Sequence, residues 1–172
     1  MLYYNKTYIQ SHVVEELGMT RVYHGSDHII KNPQYLGGKP DNDYGNGFYT
    51  TEYEDRARSW ATLNGNPDKS IVNVYDIELD KLNVLDLNEH GVLSWIAEVV
   101  ANRGTNQEAA SIVGNRLVEL YRPDSSNYDV IKGYRADDSY TQVVEAFLLN
   151  QINIQEVERL FYKGSLGNQV FL

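Results

Sequence analysis

From residue 71 to residue 79 the side chains alternate with a period of two. Ile71, Asn73, Tyr75, Ile77 and Leu79 fall on one side and Val72, Val74, Asp76 and Glu78 on the other, which predicts a half-buried strand. Residues 21–24 read as a strand that stops at Gly25, residues 83–87 as a second short strand, and residues 128–132 as a short apolar strand. Helical spacing puts Tyr53, Ala57, Trp60 and Ala61 on one face, behind a Thr51 to Glu54 capping-box spacing and ahead of Gly65 and Pro67. Two more helices are expected at 91–102 and 106–121, the latter opened by a Thr105/Glu108 box and closed before Pro123. A helix at 140–149 behind a Ser139/Gln142 box, and another at 153–162, precede a closing strand. Strands and helices that follow one another without strict alternation favour an α+β domain over a doubly wound sheet.

Composition narrows the class without naming an activity. A chain of 172 residues is long enough for one well-buried domain and short for two. Met19 precedes the first strand, so residues 1–18 read as an N-terminal extension or expression remnant and residues 19–172 as a single domain. A formal charge of -9 argues against non-specific, phosphate-driven binding to nucleic acid, which needs a clustered basic surface. The absence of cysteine excludes disulfides and thiolate zinc sites and fits a reducing compartment. Residues 1–10 are tyrosine-rich and polar with no signal-peptide core, and no window approaches the roughly 18 apolar residues of a membrane span. A soluble, cytoplasmic protein without a membrane partner is expected.

The chemistry concentrates in two stretches. Tyr23-His24-Gly25-Ser26 places a histidine and a glycine at a strand end, and about twenty residues later comes Asp43-Tyr44-Gly45-Asn46-Gly47-Phe48-Tyr49-Thr50. A His-Gly pair and a glycine-punctuated turn running into aromatics suit a site where backbone approaches a flat amide ring and a tyrosine stacks on it. Between them, residues 31–47 carry Pro33, Gly37, Gly38, Pro40, Gly45 and Gly47, a loop long enough to cover the mouth of a site.

These two stretches resemble the first two motifs of the H-Y-E class of ADP-ribosyltransferases, the poly-ADP-ribose polymerase and diphtheria-toxin branch, and more closely a bacterial branch of that fold. The resemblance runs from Arg21 to the end of the chain. It implies a split, mostly antiparallel β half-barrel with surrounding helices, in which the strand holding His24 and the closing strand are neighbours that converge on one cleft. NAD is the implied co-substrate. His24 would hold a ribose hydroxyl, the Gly25 backbone would bracket the nicotinamide carboxamide, and Tyr49 and Trp60 would stack on the nicotinamide. Ser26, Tyr44, Gly47 and Phe48 belong to the same implied cofactor-binding set. Ala57 stands where the polymerases have a serine that bonds the carboxamide.

The third motif departs from the family. The chain ends Leu166-Gly167-Asn168-Gln169-Val170-Phe171-Leu172, so Gln169 stands at the position of the catalytic glutamate. Glutamine still hydrogen-bonds a ribose hydroxyl, but it brings no negative charge and accepts no proton from a nucleophile. Polymer elongation is therefore not expected. Single transfer of ADP-ribose to a protein or nucleic-acid acceptor, or hydrolysis of NAD, remains, with Asp137 or Asp138 supplying the missing charge. A small neutralising antitoxin partner is implied by resemblance to bacterial toxins.

Each candidate has a plainer reading. His24 could be a hydrogen-bonded core histidine, and Tyr49 is one of fourteen tyrosines. Trp60 could be core, and Asp137 and Asp138 could favour a helix N-terminus. His24 and His28 are four apart, a metal spacing only on a helix, and Gly38-Lys39 runs into Pro40, so no metal or triphosphate site is expected. The competing function is a catalytically silent domain that keeps the fold to bind NAD, ADP-ribose or a protein.

Overall fold

The computed structural model describes residues 3–5, 18–34, 37–63, 69–135, 138–163 and 168–171. The strands are β1 (Tyr3–Asn5), β2 (Thr20–Ser26), β3 (Tyr49–Thr51), β4 (Ile71–Ile77), β5 (Val84–Asp86), β6 (Val130–Tyr134) and β7 (Asn168–Phe171). The helices are α1 (Glu54–Leu63), α2 (Leu87–His90), α3 (Val92–Arg103), α4 (Glu108–Tyr121), α5 (Asp138–Leu148) and α6 (Ile154–Lys163). The strands form one sheet in the order β1-β4-β2-β3-β7-β6-β5. The β1/β4 and β5/β6 pairs are parallel and the other four pairings antiparallel, in an α+β arrangement that does not close into a barrel. Among the described residues, no helix is long and apolar enough to cross a membrane.

The two faces of the sheet carry different cores. On one face Leu85, Leu87 and Ile131 pack under Trp95, Ile96, Val99 and Val100 of α3, with Ala110, Val144, Val157 and Phe161 from the following helices. On the other, Val22, Val130 and Val170 form a smaller cluster with Tyr75, Ile77 and Leu79. Val130 and Ile131 are consecutive and both buried, because β6 is covered from both sides and needs apolar residues at every position.

The middle of the sheet differs from the arrangement expected. β3 lies between β2 and β7, so the strand of His24 and the closing strand are not neighbours. Across this region Tyr23 pairs with Thr51, Thr51 with Gln169 and Gln169 with Gly133, which puts Gln169 in register with Tyr23 rather than His24. The short insert is the strand that ends the glycine-rich turn. β2 pairs with β4 over seven residues but with β3 through the single Tyr23/Thr51 bridge. β2 and β3 therefore part company beyond Tyr23.

Local signals held unevenly. α1 begins at Glu54 with Thr51 Oγ1 accepting from Tyr53 N at 3.2 Å, so Tyr53 precedes the helix and is 48% exposed rather than on its buried face. α4 begins at Glu108 after Gln107, and Thr105 Oγ1 turns to Ser111 Oγ at 2.6 Å; the Thr105/Glu108 box is not formed because Glu108 is the first helical residue, not the third. α6 opens instead on a reciprocal Asn153/Glu156 pair at 3.0 and 3.1 Å. β6 starts two residues later than expected, since the backbone N–H of Tyr128 closes a turn on Ser125 O.

α1 lies directly on β2 at Gly25. A Cβ there would stand 1.8 Å from the Ala57 carbonyl oxygen and 2.7 Å from the Ala61 amide nitrogen, both backbone atoms of a helix whose inner face is alanine. Gly25→Ala is expected to destabilise the fold by about 3 kcal/mol or more, the upper end of overpacking costs. Equilibrium denaturation checks this, and a variant as stable as the wild type would show that α1 does not approach β2 this closely.

Candidate functional site

Where β2 and β3 separate, an open cleft of about 1280 Å³ begins. That exceeds the roughly 300–1,000 Å³ of most small-molecule sites, as a cleft open to solvent can. His24, Gly25, Gly47, Phe48, Tyr49 and Trp60 all line it, which brings six of the sequence candidates to one place. Ser26 and Tyr44 do not line it. Ser26 Oγ donates to His28 O at 2.6 Å and accepts from Asn73 Nδ2 at 3.0 Å, so it fastens the start of the loop. Tyr44 is buried, its hydroxyl donating to Tyr134 O and accepting from Trp95 Nε1 at 3.1 Å, over the space that Gly133 leaves open.

His24 is built into the seam. Its Nδ1 lies 2.6 Å from Tyr49 O, and a carbonyl only accepts, so Nδ1 carries the proton. The ring stacks on Phe48 at 4.5 Å with planes 29° apart, and Phe48 in turn meets the edge of Tyr75. Burial lowers the imidazole pKa, the bond to Tyr49 O opposes this, and nearby His28 adds to the lowering. At neutral pH the ring is therefore neutral, and Nε2 is left as a hydrogen-bond acceptor.

Tyr49 contributes its ring, because its hydroxyl is committed. That oxygen accepts from Tyr44 N at 2.9 Å and donates to Gly45 O at 2.9 Å, and burial pushes the phenol pKa well above its ordinary value. The turn it grips is held from behind by α3. Asn102 Nδ2 donates to Asp43 O at 3.2 Å and to Glu98 Oε1 at 2.8 Å, and Arg122 clamps Glu98 through two bonds of 2.9 and 3.0 Å. Gly45 has φ +85°, a conformation that favours glycine, and a Cβ there would press on Asn102 Oδ1 at 3.1 Å.

The other end of the loop is pinned from β4. Buried Asn73 accepts from Ile30 N at 2.8 Å and donates to His28 O at 3.3 Å, while the Tyr75 hydroxyl, whose pKa burial pushes up to about 12, donates to Ile30 O at 2.6 Å. The loop over the cleft is thus anchored at both ends by polar side chains of buried or half-buried residues.

Charge was the feature least visible in the sequence. Lys31, Lys39, Arg103 and Arg135 line the cleft, against one carboxylate among the described residues, Asp43, which sits 2.9 Å from Arg103. An acidic protein therefore keeps a cationic cleft, the arrangement that attracts an anionic ligand. Arg135 also stands over Trp60, 5.0 Å from the ring centre, so one indole face meets a guanidinium. Arg103 closes α3 and Arg135 follows β6, thirty-two positions apart, and only folding brings them to one cleft. Asp137 lies outside the described residues. Asp138 is the first residue of α5, a position where helix N-terminal charge favours an acid. Gln169 is placed by its backbone in β7, and among the described residues no cluster of three or more His, Asp or Glu could hold a metal ion.

A family model matches residues 20–172, from the first residue of β2 through the whole cleft. The chain belongs to the DUF3990 family, described as proteins of unknown function. No curated protein and no solved structure matches it. The match takes in every residue that lines the cleft of this DUF3990 protein.

The neutral, half-buried His24 makes stability depend on pH in a definite direction. Its folded pKa lies below the unfolded value of about 6.5, so the unfolded chain binds more protons there as pH falls. The stability His24 contributes is complete above about pH 6.5 and is lost as pH falls through the folded pKa. The difference in unfolding free energy between wild type and His24→Gln is expected to shrink as pH falls below about 6.5, with the other histidines cancelling. A difference that stays constant would place His24 in water, and one that grows would mean that the fold favours the charged imidazolium.

Proposed function

We propose that this protein is an NAD-dependent mono-ADP-ribosyltransferase, with NAD in the cleft between β2 and β3. The observation that carries the reading is the hydrogen bond from His24 Nδ1 to Tyr49 O at the point where these strands part. It joins the two motifs into one edge, with Gly25 beside it and an aromatic ring from each side of the cleft. On this reading the β2/β3 seam is the split of the ADP-ribosyltransferase half-barrel.

The chemistry follows from the groups present. Neutral His24 offers Nε2 as acceptor to a ribose hydroxyl, and the Tyr49 ring, fixed by its bound hydroxyl, offers a flat surface for nicotinamide. Arg135 restricts stacking on Trp60 to the indole face it does not cover. The cationic lining suits the pyrophosphate. Breaking the glycosidic bond expels neutral nicotinamide and leaves an oxocarbenium-like ribose, which an acceptor nucleophile or water captures with loss of a proton. Gln169 supplies no charge to that centre, which limits the chemistry to single transfer or hydrolysis. The acceptor is a macromolecule, and a small antitoxin protein is the partner the resemblance implies.

A second reading, a silent domain that binds NAD or ADP-ribose, is favoured by Gln169 and by the pairing of Asp43 with Arg103. Two measurements on the purified full chain separate the readings. Tyr49→Ala is expected to weaken NAD binding by calorimetry by about 1–3 kcal/mol, the scale of a lost stacking contact. Wild type is expected to release nicotinamide from NAD and His24→Ala to lose that release. NAD binding without nicotinamide release supports the silent domain, and a folded wild type that binds neither NAD nor ADP-ribose refutes both.

A further inference from the structure

Capture of the ribose by a nucleophile releases a proton, and the amide of Gln169 is no base to receive it. The four cations of the cleft lining already carry their protons. Asp43 is engaged with Arg103 at 2.9 Å, the Tyr49 phenol is neutral and held between two bonds, and on the proposed reading His24 Nε2 serves a ribose hydroxyl. Among the described residues that line the cleft, His28 is the titratable group that is left. Its Nδ1 lies 2.6 Å from Asp27 Oδ1. A carboxylate only accepts, so in the neutral ring Nδ1 carries the proton and Nε2 keeps its lone pair. The bond from His28 holds the Asp27 carboxyl below its ordinary pKa, so a negative charge stands ready beside any imidazolium that forms.

The position of His28 suits a nucleophile that enters from solvent. Its side chain is 69% exposed, yet its backbone is fixed, because its carbonyl accepts from Ser26 Oγ at 2.6 Å and from Asn73 Nδ2 at 3.3 Å. It stands close enough to His24 for its charge to bear on that ring, which puts it on the His24 side of the cleft. Resting on the NAD reading above, we propose that His28 is the general base of the transfer and Asp27 the positioning residue that holds its ring. The bond between nicotinamide and the anomeric carbon breaks with its electron pair passing to the ring nitrogen. The oxygen of water, or the nucleophilic atom of the acceptor, forms the new bond to that carbon, and the proton it loses goes to His28 Nε2. The imidazolium then returns the proton to solvent.

Turnover of NAD by the purified full chain, with water as the nucleophile and again with added azide, an anion that has no proton to lose, tests this. In water His28→Ala is expected to lower kcat by about 10²-fold or more, the scale of a lost general base, with KM for NAD unchanged. Azide is expected to restore nicotinamide release by this variant, with ADP-ribosyl azide as the product. Asp27→Ala is expected to lower kcat less than His28→Ala does, and to cost nothing further in the His28→Ala background, because it acts through the imidazole. Both side chains are exposed, and thermal unfolding confirms that the variants are folded. A His28→Ala chain that hydrolyses NAD at the wild-type rate, or one that azide fails to restore, overturns His28 as the base and leaves the NAD reading standing. A wild type that releases no nicotinamide overturns the base and the transferase reading together.

Discussion

The amide of Asn102 is the point on which the cleft depends. Glu98 is 1% exposed and its carboxylate must be compensated, which Arg122 does with two bonds and Asn102 with a third. Bonds to a charged partner contribute roughly 1.5–3 kcal/mol each, so Asn102 is not free to leave Glu98. The same Nδ2 faces Asp43 O, and so the turn that carries Gly45 is set by a carboxylate one helical turn back along α3 from Asn102. That turn holds the Tyr49 hydroxyl, and the Tyr49 carbonyl fixes the tautomer of His24. A ligand-facing imidazole is thus oriented from the core outward. The loop need not supply its own rigidity.

Much of the fold was legible because its signals are local. Period-two alternation located β4 and the alanine face of α1 was visible as spacing, whereas β2 runs through Gly25 to Ser26 because both residues pair with β4. What was not legible depends on partners distant in sequence. Nothing in residues 43–50 says that a three-residue strand will slip between β2 and β7, because the choice is made by pairing with residues 120 positions further on. The Thr105/Glu108 box failed for a related reason: its spacing is correct, but α4 starts at the acid itself, and Thr105 found Ser111.

The candidate site divides the same way. His24, Gly25 and Tyr49 were readable as a motif, and the geometry brings them to one edge. Tyr44 and Ser26 lie in the same motifs and serve the scaffold instead, since a buried phenol over Gly133 and a hydroxyl under Asn73 hold the walls without facing the cleft. The cations that give the cleft its charge come from the C-terminal ends of α3 and β6 and from the loop itself, and only folding collects them. Asn73 and Asn102, which hold the two ends of that loop, look in sequence like ordinary polar residues of a strand and a helix.

The sign of the cleft sets its chemical reach. A cationic lining raises the local concentration of an anionic ligand and holds its phosphates, but it also disfavours any developing positive charge nearby. A reaction through an oxocarbenium-like ribose therefore needs an acid close to that carbon to offset the cations. Asp43 is poorly suited, because its charge is already spent on Arg103 at 2.9 Å and its position is dictated by the turn. Asp138 is the first residue of α5, a position that favours an acid for the helix's own sake. The same cations that favour binding thus raise the demand on whichever carboxylate serves the ribose. Gln169, in β7 between β3 and β6, brings no such charge, so on the proposed reading a cleft without another acid near the ribose would bind NAD and leave it intact.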